Sequence, residues 1–107
     1  MAGRNRSVEW SPVALGDLAD IWNYYLNVAG RDAANNFVRE IDKACRLLEE
    51  HPSAGRARDE LRPGLRSLVA VPYVVFYRLN RDGVAQITRV LDGRRDLDEI
   101  FTFEIEG

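Results

Sequence analysis

The arginine side chains are the groups whose number and clustering in this sequence indicate a chemical role. Between Ala54 and Arg95 nine arginines stand against four acidic residues, a net of +5, although the whole chain carries only −2. A guanidinium group forms planar, bidentate hydrogen bonds with carboxylates and phosphates, so this region is predicted to meet a partner. Two alternatives stay open: a solvated face paired internally with nearby acids, and a compositional bias, since fourteen of the fifteen basic residues are arginine.

Cysteine and histidine each occur once, as Cys45 and His51. These counts exclude an intramolecular disulfide and a cysteine metal cage, and they remove most Ser-His-Asp and Cys-His templates. We interpret Cys45 as a small core residue and His51 as a helix-end residue. The acids Asp96, Asp98 and Glu99 could imitate a carboxylate metal site, but such a cluster more often begins a helix. No metal or other cofactor is expected.

Length and composition predict one domain over residues 1–107, of which residues 1–6 are expected to be flexible. A chain of 107 residues with 46% hydrophobic and 30% charged residues has the composition of an ordinary globular protein. Its apolar runs are all shorter than the roughly 20 residues of a membrane-spanning helix, and its first residues do not resemble a secretion signal. We therefore expect a cytoplasmic protein without membrane contact.

The first half of the chain predicts a short strand and a helical hairpin. Ser7–Trp10 alternates polar and apolar residues, Ser11 and Pro12 are a cap and a helix-starting proline, and Gly30 separates two helices. The second helix should end at His51, before a proline. The first helix is predicted to bury Leu15, Leu18, Ala19, Trp22, Tyr25, Leu26 and Ala29, and the second Ala34, Phe37, Ile41, Ala44 and Leu48.

The second half predicts a sheet. A turn-rich connection over residues 52–64 leads to strands at Leu65–Val71, Tyr73–Leu79 and Val84–Leu91, with a tight turn at Asp82-Gly83. The fold class is therefore α+β: a two-layer β-α-α-β-β-β arrangement in which the helical hairpin packs on an antiparallel sheet. A C-terminal tail with apolar residues follows and needs a surface to lie against.

Several motifs occur in order along the chain: Trp10-Ser11-Pro12, His51-Pro52 with Gly55-Arg56, Gly64-Leu65-Arg66-Ser67, an aromatic strand ending in Tyr77-Arg78, and Arg89-Val90-Leu91 with Gly93-Arg94-Arg95-Asp96. Together they resemble the pattern of ParE toxins, a branch of the RelE/ParE superfamily, over nearly the whole domain. The resemblance implies the toxin of a type II toxin–antitoxin system, which binds DNA gyrase and stalls it on DNA. Its implied partners are gyrase and a ParD-like antitoxin, and no sequence-specific nucleic-acid binding by the toxin alone is implied.

Two alternatives accompany this resemblance. One is a RelE-like ribosome-dependent mRNA endoribonuclease, and the other is a solitary or decayed member that only binds a partner. In the RelE pattern an arginine stands where this chain has Val74, and a terminal catalytic tyrosine aligns with Phe101, which lacks the hydroxyl. Arg95 matches the type of a second catalytic arginine. Because two of the three roles are lost, we predict that the chain is not an enzyme. Many ParE relatives also have His where Asp92 stands.

The candidate site residues follow from the arginine clustering and from the resemblance. The target-binding candidates are Arg56, Arg58, Arg62, Arg66, Arg94, Arg95, Phe101 and Phe103. The antitoxin-binding candidates are Tyr24, Tyr73, Arg78 and Arg89. Trp22 and Tyr25 are expected in the core, whereas Tyr24 lies off the predicted apolar face of its helix.

Overall fold

The structure is a computed structural model that describes residues 7–101, apart from the side chains of Asp98 and Glu99. Residues 1–6 and 102–107, which include the predicted flexible start and Phe103, lie outside the described residues. The described elements are β1 (Glu9–Trp10), α1 (Pro12–Ala29), α2 (Arg31–Glu50), β2 (Arg56–Ala57), β3 (Arg66–Ala70), β4 (Tyr73–Leu79), β5 (Ala85–Asp92) and α3 (Leu97–Ile100). None of the described helices is long and apolar enough to cross a membrane.

The helical hairpin begins and turns at the residues that the sequence indicates. The Ser11 hydroxyl accepts a hydrogen bond from the Ala14 N–H at 3.0 Å and donates one to the Thr88 carbonyl at 3.2 Å, so it caps α1 and ties it to β5. Gly30, with φ of +94°, is the only residue between α1 and α2. A left-handed φ favours glycine, and so short a connection makes the helices antiparallel neighbours.

The sheet has five strands in the order β1-β5-β4-β3-β2. The predicted antiparallel arrangement of β3, β4 and β5 is confirmed, and Gly83 takes a φ of +82° in the turn before β5. Strand β1 instead pairs in parallel with β5, and the two-residue strand β2 adds an edge that the sequence did not predict. The predicted two-layer α+β fold is thus confirmed, with a mixed sheet where a wholly antiparallel one was expected.

The main core lies between the helices and one face of the sheet. The prediction for α2 is confirmed in the main, because Ala34, Ile41 and Leu48 are buried and Phe37 packs against them. The prediction for α1 was wrong in part. Its buried residues are Ala14 and Ile21, with Leu18 and Tyr25 packed against the core, whereas Leu15 is 52% exposed and Trp22 is absent from the core cluster. The face of α1 that meets the core therefore overlaps the predicted one at Leu18 and Tyr25 but is rotated toward Ala14 and Ile21.

A second apolar cluster covers the opposite face of the sheet. Strand alternation directs Tyr73, Val75 and Tyr77 of β4 toward the helices and Phe76 away from them. Phe76 packs there with Leu65, Leu91, Ile100 and Phe101. The first part of the predicted tail therefore lies against the sheet, and Asp96 directly precedes α3, as the interpretation of the acidic cluster as a helix start requires.

Cys45 is a core residue, as predicted, and should be chemically inert in the native state. It is 3% exposed, and burial together with the nearby Asp42 charge raises the pKa of its thiol to about 12. Since the thiolate is the reactive form, a disulfide reagent at pH 8 is expected to leave the native protein unlabelled and to label one thiol after urea unfolding. Absorbance of the released chromophore measures both rates; native labelling as fast as unfolded labelling would contradict the prediction.

Candidate partner-binding surfaces

The arginines predicted to face a target lie in two separate places. The first group belongs to the segment from β2 to β3, and the second follows β5. Arg66 pairs with Tyr77 across β3 and β4, whereas Asp92, just before Arg94 and Arg95, pairs with Tyr73. Four residues of strand separate these positions, about 13 Å. Sequence reasoning placed them in one group, but the fold presents them as two surfaces.

Side-chain hydrogen bonds fix the start of the first group. The hydroxyl of the fully buried Tyr77 donates to the Pro52 carbonyl at 2.8 Å and accepts from the Gly55 N–H at 2.8 Å. The Arg66 guanidinium donates to the Ser53 and Gly55 carbonyls, both at 3.0 Å. The turn that precedes Arg56 is therefore held by two side chains, and Arg66 contributes to the structure of this surface.

Arg58 is also bound internally. Its Nε donates to Glu60 at 2.7 Å, its Nη1 donates to the Ser67 hydroxyl at 3.2 Å, and its guanidinium lies 5.8 Å from the centre of the Phe76 ring. The hydrogen bond from Arg58 lowers the pKa of the Glu60 carboxyl. Only 16% of the Arg58 side chain is exposed, while Arg56 is exposed. Of these two candidates, Arg56 is the one that faces solvent.

A cleft of about 310 Å³ lies where the first group meets the second apolar cluster. Its lining consists of Arg62, Leu65, Arg78, Thr88 and Phe101. Arg62 Nη2 donates to the Phe101 carbonyl at 3.3 Å. The cleft thus joins a target-binding candidate, Arg62, to an antitoxin-binding candidate, Arg78. Phe101 itself is 2% exposed and packs edge-on against Phe76, with ring centres 4.7 Å apart.

The second group surrounds Asp92. The backbone N–H and the Nε of Arg94 both donate to Asp92 Oδ1 at 2.9 Å, and these hydrogen bonds lower the pKa of Asp92 to about 2. The Asp92 carboxylate thus holds the Arg94 side chain in place. Arg94 is nevertheless 76% exposed, and Arg95 is exposed at the rim of a cavity that Asp92 also lines.

Arg89 lies at the base of that same cavity. Its Nε and Nη2 donate to the two carboxylate oxygens of Asp17 at 2.8 and 3.1 Å, and the Val90 N–H also donates to Asp17, at 2.9 Å. Both side chains are nearly buried, with 13% of Arg89 and 12% of Asp17 exposed. The pair joins α1 to β5 across 72 residues of sequence.

The two tyrosine candidates differ in accessibility. Tyr73 is 7% exposed, and burial together with a 3.3 Å hydrogen bond to the Tyr25 hydroxyl raises the pKa of its phenol. Tyr25 in turn stacks on Phe37, with ring centres 3.9 Å apart, which confirms its place against the core. Tyr24 is 58% exposed, as its position off the predicted face of α1 indicated.

A groove between the outer faces of α1 and α2 was missed by sequence reasoning. Trp22 and Leu15, which the sequence assigned to the core, line it together with Trp10 and Val38. The indole N–H of Trp22 donates to Asn35 at 3.1 Å across the groove. The signal was present in the sequence, since α1 has more apolar residues than one helix face can bury. Exposed apolar surface of this kind is typical of a binding site.

A helical hairpin packed on a mixed five-stranded sheet, with exposed arginines and apolar grooves, fits a small protein that acts through binding surfaces, and the comparisons give its class. The sequence profile of the family described as "ParE toxin of type II toxin-antitoxin system, parDE" matches residues 8–97. The chain belongs to this family.

Relatives and a solved structure agree with that assignment. The chain is 39% identical to Toxin ParE1 of Mycobacterium tuberculosis (strain CDC 1551 / Oshkosh) over 88 residues, which cover 82% of this chain and 90% of the relative. It is 37% identical to Toxin ParE3 of Caulobacter vibrioides over 92 residues, 86% of this chain and 90% of the relative. A chain of the chromosomal ParDE TA system from P. aeruginosa superposes with a TM-score of 0.71 and 26% identity, covering 81% of this chain and 95% of that one.

Proposed function

We propose that this toxin acts by binding DNA gyrase, without catalysing a reaction, and that a ParD-like antitoxin neutralises it. The observation that carries the choice of a binding mechanism is the pair Val74 and Phe101. A RelE-like nuclease needs a guanidinium and a phenol at these positions to stabilise charge and to transfer a proton. Here both side chains are hydrocarbon, and Phe101 is closed into the second apolar cluster.

Arg95 is the one RelE-like position whose residue type is retained. It lines a cavity together with Asp17, Arg89 and Asp92, and the carboxylates of Asp17 and Asp92 already pair with arginines. A single retained arginine, without the guanidinium and the phenol of the other two positions, does not complete a RelE-like catalytic site, which again supports protein binding over RNA cleavage. A toxin that acts on gyrase acts in the cytoplasm, where the chromosome is.

Exposed apolar residues on the helices support an antitoxin partner. Tyr24 and Val28, four residues apart on α1, are 58% and 61% exposed, and the groove between α1 and α2 exposes further apolar side chains of the same hairpin. An apolar segment of a ParD-like antitoxin would cover such surface. The TA system named for the superposed P. aeruginosa structure is consistent with a partner of this kind.

The proposal is tested with the purified chain in two parallel assays, gyrase supercoiling with DNA cleavage and cleavage of ribosome-bound mRNA. We expect inhibited supercoiling, trapped DNA breaks and intact mRNA. Cut mRNA with unaffected gyrase would favour the nuclease alternative and contradict the role assigned to Val74 and Phe101. Inactivity in both assays, together with the lack of a neighbouring antitoxin gene, would favour the solitary member.

Arg94 and Arg95 are predicted to contact the target. The double substitution Arg94→Glu and Arg95→Glu should raise the concentration needed to inhibit supercoiling by about tenfold or more, because it reverses two exposed charges at an interface. The matched control reverses two exposed arginines elsewhere, Arg31 and Arg81, and should leave inhibition unchanged. Circular dichroism confirms that both variants fold. Equal inhibition by the two double variants would remove Arg94 and Arg95 from the target surface.

A further inference from the structure

The outer edge of β3 is paired over only part of its length. Strand β2 covers Arg66 and Ser67, and no described strand lies beyond residues 68–70 on that side. An uncovered strand edge is a template for pairing with another chain, and natural proteins usually blunt it with charged residues. Here the exposed side chains along the open edge are valines instead: Val69 is 63% exposed, and Val71, the residue after β3, is 80% exposed.

The backbone of Val69 points toward this open edge. In an antiparallel pair the N–H and carbonyl of one residue point to the same side, and successive residues alternate. The Leu65 carbonyl accepts from the Arg58 N–H at 2.7 Å on the side of β2, and a Cβ atom at Gly55 would lie 2.7 Å from the Ser67 carbonyl oxygen on that same side. Val69 continues the alternation, and no backbone group of the described residues bonds to it there. Its N–H and carbonyl can therefore bond to another strand.

An apolar groove of about 320 Å³ lies beside the open edge, between β3 and α2. Its lining is Glu40, Lys43, Ala44 and Leu47 of α2 together with residues 68–70. Leu47 is 45% exposed. Glu40 and Lys43 carry opposite charges on one face of the helix, and neither forms an ion pair within the described part of the chain. The surface thus offers backbone groups, apolar side chains and both signs of charge.

A second copy of the same edge complements this surface. Two β3 strands can pair antiparallel about a two-fold axis at Ala70, which places each Val69 opposite Val71 of the second copy. This register avoids Ser67, which β2 already covers. It buries apolar side chains against each other across the two strands, and such cross-strand pairs stabilise a sheet.

The charges beside the groove favour a second copy over an unrelated peptide. The axis is perpendicular to the sheet, so the α2 helices of the two copies lie side by side and antiparallel. Because a two-fold interface repeats every contact, Glu40 of each copy can pair with Lys43 of the other. One surface then supplies both partners of each ion pair. The open stretch, residues 68–71, is in contrast too short for a long extended peptide to gain much from it.

We propose that residues 68–71 and the adjoining face of α2 form a two-fold interface with a second copy of this chain, which joins the two sheets edge to edge. The interface is small, so the dimer is weak and forms as concentration rises. It shares no residue with the groove lined by Trp22 or with Arg94 and Arg95. A dimer therefore presents each of those surfaces twice, which strengthens binding to a partner that has two sites. The inference does not rest on gyrase as the target.

Sedimentation equilibrium of the purified chain, from low micromolar to millimolar concentration, should show a monomer–dimer equilibrium. Val69→Lys places a charge in the middle of the paired strands and should raise the dissociation constant about tenfold or more. The matched control is Val13→Lys, because Val13 is 57% exposed on α1 and lies outside the groove. It should leave the dissociation constant unchanged. Circular dichroism verifies that both variants fold.

Exchange of the two charges tests the contact between the helices. Glu40→Lys and Lys43→Glu each place like charges opposite one another, and each should weaken self-association about fivefold. An equimolar mixture of the two variants should associate as tightly as wild type, because every lysine then meets a glutamate across the axis. Failure of the mixture to recover association would overturn the pairing of Glu40 with Lys43.

Hydrogen exchange at the Val69 amide tests the strand pairing. Its N–H should exchange more slowly as protein concentration rises, whereas the Leu68 N–H, which faces β4, should exchange at one rate throughout. A monomer at every concentration would overturn the proposal, and so would a dimer that Val69→Lys leaves as tight as Val13→Lys does. Val69 protection that is independent of concentration would mean that the edge is covered within one chain. If Val69→Lys does not fold, the mixing experiment and the Val69 exchange rate decide.

Discussion

Substitution of Asp17 by Asn is expected to lower the free energy of unfolding by about 3 kcal/mol, the magnitude found when one partner of a buried ion pair is removed. Asp17 accepts from Arg89 through both carboxylate oxygens and from the Val90 N–H through one of them. An amide keeps one acceptor and turns an N–H₂ group toward the guanidinium. The nearly buried positive charge of Arg89 then loses the Asp17 carboxylate.

Urea unfolding at pH 7 measures this change, and Asp20→Asn is the matched control. Asp20 is exposed on the same helix, one turn away, so its substitution should alter stability by no more than about 0.5 kcal/mol. Replacing the pair by Asp17→Leu and Arg89→Met should recover part of the loss, because no unpaired charge is left. Wild-type stability in Asp17→Asn would show that the pair contributes nothing.

The helices show what sequence periodicity can and cannot predict. Helix α2 has one apolar face against a strongly polar one, and its buried residues were predicted well. Helix α1 has apolar residues over more of its circumference, so periodicity alone did not determine which face packs against the core. Which face of α1 packs against the core depends on how the helix is bound to β5 through Ser11 and Asp17. These contacts join residues far apart in the chain and cannot be seen in the local sequence.

The arginines show the same limit for the candidate surfaces. Sequence reasoning grouped them by composition and could not distinguish exposed side chains from bound ones. Arg89 finds its partner 72 positions away, and Arg58 finds its partner two positions away yet also lies against Phe76. The position of Arg89 depends on the register between β4 and β5, which shifts between Phe76 and Tyr77. The motifs identified the family because they are short stretches that can be recognised in the sequence. The accessibility of a side chain, in contrast, depends on the assembled fold.

The hairpins of the sheet were predicted, and so was β1 as a strand, but the parallel pairing of β1 and the strand β2 were not. Turn chemistry at Asp82 and Gly83 determines how β4 and β5 pair, since adjacent strands need only a tight turn. The partner of β1 lies more than seventy residues away, and a two-residue strand such as β2 has no periodicity to detect. Strand β2 follows a turn that Tyr77 and Arg66 hold in place through hydrogen bonds to Gly55, and this explains why so short a strand forms.

In that turn, one added methyl group is expected to destabilise the fold strongly. A Cβ atom at Gly55 would lie 2.5 Å from the Tyr77 hydroxyl oxygen, 2.6 Å from its Cε1 and 2.7 Å from the Ser67 carbonyl oxygen. The Tyr77 ring is fully buried and Ser67 belongs to β3, so neither can move away cheaply. Gly55→Ala should therefore lower the free energy of unfolding by about 3 kcal/mol, the upper part of the range for overpacked cores.

Thermal unfolding measures this loss, which for a domain of this size corresponds to a fall in Tm of about 12 °C or more. The matched control is Gly16→Ala, because Gly16 lies inside α1 with no atom within 4 Å of an added Cβ. Relief of the helix penalty of glycine should raise its stability by about 0.5 to 1 kcal/mol. A Gly55→Ala protein as stable as wild type would mean that the turn before β2 can shift without cost. Arg56, which follows that turn, would then have no fixed position from which to meet a partner.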